Sequence, residues 1–415
     1  MTSRKRTLLL ASKAFYTARS RAYIWQSPDW PRLHVDMVSL GPVLSKARSS
    51  QGQLLGLLTS LNLLDQSGVQ LEGWVKEAQS TAHIEGEVLQ LNSVRASVAR
   101  RLGLSSSPNR QDIATEGMLD ILQSAVTHVQ EGKRVTPSVL HAWHSSLFPM
   151  ERSGMRRIVV GKYRSHVEPM QIVTPSLGGN DIVHFQAPSS KEVAAQMTEL
   201  LSWFDQSRTP SWPTDGLVRA AIAHLWFEVI HPYEDGNGRL GRALAELALF
   251  QDWQQVFGTL KVQRLFSLSQ QLWLDRKGYY DQLQVATGQA KLDVTDWVVW
   301  FVGCVTMAIE AAINHVNVAV EKNQFWQKVM LAHPALSSAQ RKVLNKLYDT
   351  PDGFKNGLST DVYTTIATCS RATAYRDLTQ LLALGLLTQS GVGRGTRYRL
   401  IKNTEKAMLR AVHDR

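Results

Sequence analysis

The sequence of 415 residues predicts a mainly α-helical protein with one β-hairpin near its middle and a small mixed module at its C-terminus. Three observations predict this. Apolar residues recur at spacings of three and four over 37–63, 71–89, 111–129, 190–204, 217–230, 239–252 and 293–320, the period of amphipathic helices. One stretch, 157–187, is instead rich in Val, Ile, Tyr and Phe around Pro175-Ser176-Leu177-Gly178-Gly179-Asn180-Asp181, the pattern of two strands joined by a loose turn. After His333-Pro334 the pattern changes to a helix over 335–348, two short helices and two strand-like pieces around Leu386-Leu387 and Tyr398-Arg399-Leu400.

The length predicts two or three domains. We divide the chain into a basic tail (1–22), an N-terminal helical region (23–105), a central domain (106–330) and a C-terminal module (331–415). A composition of 44% hydrophobic and 20% charged residues is that of a globular protein, with neither repeats nor low-complexity segments. No unbroken apolar run reaches the roughly 18–20 residues of a membrane span, so no membrane association is expected. Cys304 and Cys369 lie far apart, which excludes a disulfide framework and a cysteine-based zinc site; a cytoplasmic location is expected. The net charge of +11 is uneven: residues 1–28 carry +6, residues 334–415 carry +7, and the stretch between is slightly acidic. A basic C-terminal module suits nucleic acid or an acidic partner, or serves solubility. The Arg-rich run 1–23 somewhat resembles a transit peptide; a tail is the expected reading.

The stretch His231-Pro232-Tyr233-Glu234-Asp235-Gly236-Asn237-Gly238-Arg239-Leu240-Gly241-Arg242 carries the chemistry. It joins the apolar helix 217–230 to another helix through a tight loop. Gly236 and Gly238 allow loop N–H groups to form an anion nest at a helix N-terminus. Arg239 and Arg242, three residues apart, face the same way and suit a polyphosphate. Asp235 offers a hard oxygen ligand for Mg²⁺, and His231 a general base near neutral pH. A glycine-rich turn between helices is common, but this combination with His, acid and two Arg is not.

The stretch resembles the Fic family signature, His-x-Phe-x-(Asp/Glu)-Gly-Asn-Gly-Arg-x-x-Arg, with Tyr233 in place of Phe at an apolar anchor. Gly161-Lys162-Tyr163-Arg164 and the hairpin after it are similar to the Fic flap, which aligns a target segment. Tyr279-Tyr280 and Asp293-Val294-Thr295-Asp296-Trp297 add to a likeness over roughly residues 23–400. The resemblance implies a Fic-fold helical core and a protein adenylyltransferase, transferring AMP from ATP to Ser, Thr or Tyr hydroxyls of a target protein. His231 would deprotonate the hydroxyl. Asp235 would hold Mg²⁺, Gly236, Asn237 and Gly238 would line the anion hole, and Arg239 and Arg242 would grip the β- and γ-phosphates.

Over 71–89 the apolar stripe of Leu71, Trp74, Val75, Ala78, Ala82 and Leu89 contains Glu85. A carboxylate on a burying face needs a cation, unless the helix ends there and Glu85 reaches solvent beside Gly86. Thr81-Ala82-His83-Ile84-Glu85-Gly86 resembles the Fic inhibitory motif, (Ser/Thr)-x-x-x-Glu-(Gly/Asn). The resemblance implies that Thr81, Glu85 and Gly86 belong to an inhibitory helix and that Glu85 pairs with Arg242 in place of the γ-phosphate. Glu85 activating water for AMP removal stays open. Tyr23 to Trp30 resembles a small region found ahead of such domains.

Residues 336–400 read as a winged helix. Ser370 is a candidate N-cap for a helix carrying Arg371, Thr373, Tyr375 and Arg376, with Ala374, Leu378, Leu381 and Leu382 on its buried face. The stretch 391–399, with Arg394, Arg397 and Arg399, reads as a basic wing. DNA or RNA contact and protein docking both stay open, as does a homodimer. The rival function is a nucleotide-sensing, DNA-binding transcription regulator with a Fic core. A Fic relative with another donor, for example phosphocholine or the γ-phosphate of ATP, is a second rival; the intact Gly236-Asn237-Gly238-Arg239 stands against phosphate donation. No Gly-x-x-x-x-Gly-Lys-(Ser/Thr) is present.

Overall fold

The computed structural model describes residues 22–59, 63–105, 112–174, 182–209, 214–258, 265–350 and 352–402. Residues 1–21 of the expected basic tail and the expected hairpin turn 175–181 lie outside these. The chain forms two compact units, residues 1–314 and 315–415.

The first unit is helical. Its N-terminal part is α1 (Met37–Thr59), α2 (Leu63–Ile84) and α3 (Leu91–Arg101). Next come α4 (Ile113–Gln130), capped by Asp112, and α5 (Pro137–Leu147), which starts with Pro at its first position after the cap Thr136. Two short antiparallel pairs follow: β1 (Arg152–Ser153) with β2 (Arg156–Arg157), then β3 (Gln171–Thr174) with β4 (Ile182–Gln186). The second pair is the hairpin read from 157–187, with an irregularity between Ile172 and Val173. Then come α6 (Ser190–Gln206), α7 (Gly216–Ile230), α8 (Asn237–Phe257), α9 (Leu268–Leu274), α10 (Arg276–Thr287) and α11 (Thr295–Ala332).

The core is built on α7 packed against α8. Every residue of α7 from Leu217 to Ile230 is buried, the polar Arg219, His224 and Glu228 included. Around this pair α4 covers α8, α6 covers α7, and α2 packs on α9 and α3. Arg48 of α1 ties the unit together. It donates to both oxygens of buried Asp252 at 2.6 and 2.8 Å and to Asp215 at 2.7 Å. Asp215 also caps α7, accepting from Leu217 N at 2.8 Å.

α11 is the longest helix described. By length and composition it could cross a membrane, although 61% of its most apolar stretch is buried within the protein. Asp296 and Glu310 interrupt its apolar residues, so an unbroken run does not reveal it. The unit division also falls inside this helix, at 314/315, rather than near residue 330. The physical reason is that Phe325 and Val329, late in α11, belong to the second unit's core.

That second unit continues with α12 (Ser338–Asp349), α13 (Thr360–Ala367), α14 (Arg371–Ala383) and the antiparallel strands β5 (Leu387–Ser390) and β6 (Arg397–Leu400). Leu344, Leu358, Tyr363, Leu378 and Leu381 are fully buried. Ser370 caps α14 by accepting from Thr373 N at 3.2 Å. Ala374, Leu378 and Leu381 face inward, Leu382 packs partly against them, and Arg371, Tyr375 and Arg376 face solvent. The side chain of Arg394 lies outside the described residues.

Removing Arg48 leaves the buried Asp252 carboxylate with the Gln51 amide, 3.1 Å away, in place of its cation. Arg48→Ala therefore lowers unfolding free energy by about 3 kcal/mol, read from urea denaturation. A loss under about 1 kcal/mol would mean that water reaches Asp252 in the variant.

Candidate active site

α7 stops at His231, which adopts a left-handed conformation (φ 50°, ψ 59°). Pro232 follows and cannot continue a helix. That conformation costs a residue with a side chain about 1–2 kcal/mol, so its surroundings must hold it. Arg164, buried to 2% exposure, supplies the hold. Its Nε donates to His231 O at 2.8 Å, and its Nη2 to Ile230 O at 3.2 Å and Pro188 O at 2.6 Å. The imidazole Nδ1 lies 3.4 Å from Glu228 O, leaving Nε2 as the nitrogen for chemistry. Burial, aided by the Arg164 cation, pushes the imidazole pKa down to about 4. His231 is therefore neutral at pH 7 and able to accept a proton.

The loop after it is braced from within. Tyr233 N donates to Asn237 Oδ1 at 2.9 Å, and Asn237 Nδ2 donates to Tyr233 O at 2.8 Å. The Asn237 side chain is thus a loop brace; its main-chain N–H belongs to the open N-terminus of α8. Tyr233 is fully buried, its ring stacked on His144 at 4.2 Å. Its hydroxyl meets His141 Nδ1 at 2.9 Å, so Tyr at this position is more than an apolar anchor. Gly161 N donates to His144 Nδ1 at 3.1 Å, which leaves Nε2–H of His144 to donate to Asp235 O at 3.1 Å. Asp235 Oδ1 accepts from Gly236 N at 2.6 Å, and the Ser153 hydroxyl donates to Oδ2.

The two arginines of α8 are each met by a carboxylate from the end of α2. Arg242, 1% exposed, donates from Nη2 to Glu85 Oε1 at 2.8 Å and to Thr81 O at 3.1 Å, and from Nε to Thr81 Oγ1 at 2.8 Å. Burial disfavours its charge, but Glu85 outweighs that and keeps the guanidinium protonated. Arg239 Nη1 donates to both Glu87 oxygens, at 3.0 and 2.9 Å, and its guanidinium lies 5.0 Å from the Phe148 ring centre. A side chain at Gly238 would stand 2.5 Å from Glu85 Oε1, so only glycine admits an anion here.

α2 ends at Ile84, earlier than the stripe over 71–89 suggests, and Glu85 is the first residue of a turn with its side chain 28% exposed. Gly86, at φ 79°, takes the left-handed position that ends the helix. Gly86 N then donates to His83 O at 2.9 Å and Glu87 N to Ala82 O at 2.9 Å. This turn aims Glu85 and Glu87 at the two arginines. Farther back, buried Glu77 fixes α2: it accepts from Ser267 Oγ at 2.8 Å, Ser269 N at 3.2 Å and the Ser269 hydroxyl.

His231, Asp235, Gly236, Asn237, Gly238, Arg239, Arg242, Thr81, Glu85 and Gly86 thus gather around the N-terminus of α8. Sequence reasoning missed Glu87, although a second acid just past Glu85-Gly86 is visible in the chain. It missed Glu228, a carboxyl on the all-buried α7 that burial pushes up to about 8, and whose Oε1 has no hydrogen-bond partner among the described residues. It named Arg164 without a role. Among the described residues no three His, Cys, Asp or Glu form a metal cluster. Asp235 alone fits Mg²⁺ in the manner of sites completed by substrate phosphates.

Comparison with known proteins matches residues 134–249 to the Fic/DOC family and residues 23–104 to a domain of unknown function, DUF4172. Protein adenylyltransferase fic-1 of Caenorhabditis elegans is 27% identical over 171 residues, 41% of this chain and 30% of that protein. A probable protein adenylyltransferase of Aquifex aeolicus is 34% identical over 68 residues, 16% of this chain and 20% of that one. The matches span less than a third of the length of either relative. A crystal structure of a Fic family protein from Desulfovibrio desulfuricans aligns with TM-score 0.47 and 20% identity, covering 87% of this chain and 96% of that one.

Burial holds three imidazoles below their ordinary range, His224 to about 3 and His144 and His231 to about 4. In the unfolded chain they take up protons near pH 6.5. Their contribution to stability is therefore present above about pH 6.5 and lost as pH falls towards 4 and below. The melting temperature should drop steadily from pH 7 to pH 5 by calorimetry; a flat profile would contradict the neutral buried imidazoles.

Proposed function

The chain carries a Fic/DOC family domain at residues 134–249, and we propose on that premise that it transfers AMP from ATP to a hydroxyl of a protein target, restrained by residues 85–87. The observation that carries this reading is the pair of guanidiniums on α8, Arg239 and Arg242, each held by a carboxylate of its own chain. Two carboxylates on two arginines present the charge pattern of a polyphosphate tail. ATP would take their place, its β- and γ-phosphates on Arg239 and Arg242 and on the open N–H groups of α8. The two relatives are named as protein adenylyltransferases, which supports an adenylyl group as what is transferred and a protein as its acceptor.

His231 Nε2 accepts the proton of the target hydroxyl as its oxygen bonds to the α-phosphorus. The bond from that phosphorus to the bridging oxygen breaks, and pyrophosphate leaves. Asp235 would hold Mg²⁺, which when bound neutralises phosphate charge. The loop braced by Asn237 keeps Asp235 and His231 in register, so catalysis is positioning and charge stabilisation. Arg371, Tyr375 and Arg376 on the exposed face of α14 suit nucleic acid, which keeps the regulator reading as the alternative.

The test is incubation of wild type, Glu85→Gly and Glu85→Gly/His231→Ala with Mg²⁺ and ATP labelled at the α-phosphate, alone and with cell lysate. Glu85→Gly should label protein at least tenfold faster than wild type, and the double variant not at all. No label in any variant, together with a salt-dependent shift of duplex DNA, would favour the regulator. Adding Glu87→Ala to Glu85→Gly should tighten ATP binding by up to about fivefold by calorimetry, the scale of a half-exposed ion pair. Unchanged affinity would confine the restraint to Glu85.

A further inference from the structure

We infer that Arg164 is a positioning residue of the proposed transfer, holding the base His231 in a main-chain conformation that His231 would not keep alone. The inference rests on reading His231 as the general base. His231 is one of three non-glycine residues at positive φ among the described residues, and the one that carries a proposed chemical role. Three consecutive carbonyls, those of residues 230, 231 and 232, are gripped by one side chain and its own main chain. The Arg164 guanidinium takes the first two, and Arg164 N donates to Pro232 O at 2.9 Å. This grip spans the point where α7 ends, at the negative end of its dipole. The fork also reaches Pro188 O at 2.6 Å, one residue before the cap of α6. The base is thereby tied both to its own helix and to the segment entering the next.

Helix ends are ordinarily completed by glycine or asparagine, without a buried cation. A guanidinium this deeply buried is unfavourable, and burial pushes its pKa down to about 10. The arrangement makes sense if the charge serves the neighbouring imidazole. The groups facing His231 are the Glu228 carboxyl of α7, with Oε2 4.0 Å from Nδ1, Asp235 of the loop, Glu85 at the end of α2, and Arg164. Asp235 and Glu85 favour the protonated ring; Arg164 is the cation that opposes them. It therefore does two separable things: its fork fixes the main chain that carries the ring, and its charge adds to burial in keeping the ring neutral.

Two variants in the Glu85→Gly background separate these effects. Arg164→Lys keeps the charge and loses the fork; Arg164→Met loses both. Both should lower the initial rate of transfer from ATP by about a hundredfold, as a misplacement near 1 Å does. ATP affinity by calorimetry should stay within twofold, because Arg239 and Arg242 are untouched. Ring-¹⁵N histidine NMR, with His231 identified by its loss in His231→Ala, should show its pKa raised in Arg164→Met and little changed in Arg164→Lys. Transfer within threefold of the parent, or an equal loss of rate and ATP affinity, would overturn the inference. If Arg164→Met does not fold by circular dichroism, Arg164→Lys decides alone through rate and affinity. If Glu85→Gly itself transfers nothing, the functional reading fails, and the NMR still decides. An unaltered His231 ring in both variants would then reject Arg164 as its positioning residue.

Discussion

A guanidinium with about one per cent of its surface open to water must have a partner, and Arg242 organises the site around that need. Its position on α8 is set by the packing of α7 and α8. Its partners come from elsewhere: the Thr81 hydroxyl and carbonyl, and the Glu85 carboxylate. The N-terminal region is therefore a wall of the candidate site. Glycine at 238 leaves room for the Glu85 carboxylate beside the helix, and glycine at 86 turns the chain so that the carboxylate arrives.

The electrostatics of the site are those of fixed cations among neutral bases. Burial keeps His144, His224 and His231 uncharged, and pushes Glu228 towards its protonated form. Arg242 stays charged because Glu85 outweighs its burial, and Arg239 is paired with Glu87. Positive charge is thus concentrated where phosphates would bind, and a basic nitrogen stands beside it. Under the proposed function, little would have to reorganise for a polyphosphate to replace the two carboxylates.

Much of this was legible in the sequence because it is local. Residues 231–242 carry loop, helix start and both arginines in twelve positions, and Glu85 stands out as an acid in an apolar stripe. Longer-range pairings were less visible. Nothing near Arg164 in the chain announces that it meets carbonyls some 67 positions later. Tyr233 reads as an apolar residue until His141 is brought to its hydroxyl. The short helices α3, α5, α9 and α10 were not singled out, because seven to twelve residues are too few to establish a period. The boundary read near residue 330 followed the change of pattern at His333-Pro334; that Phe325 and Val329, late in α11, pack into the second core is a tertiary fact with no local signal.

The anchoring of α2 by Glu77 sets which movements could free Arg239 and Arg242 of their carboxylates. Withdrawing the whole helix would expose Trp74, Val75 and Ala78 and strip Glu77 of two hydroxyls. Swinging residues 85–88 outward breaks two ion pairs and leaves the core intact, and Val88 already lies 74% exposed. If the turn acts as the proposed restraint, substitutions within residues 85–88 would change how firmly Arg239 and Arg242 are held while the packing beneath α2 stays the same.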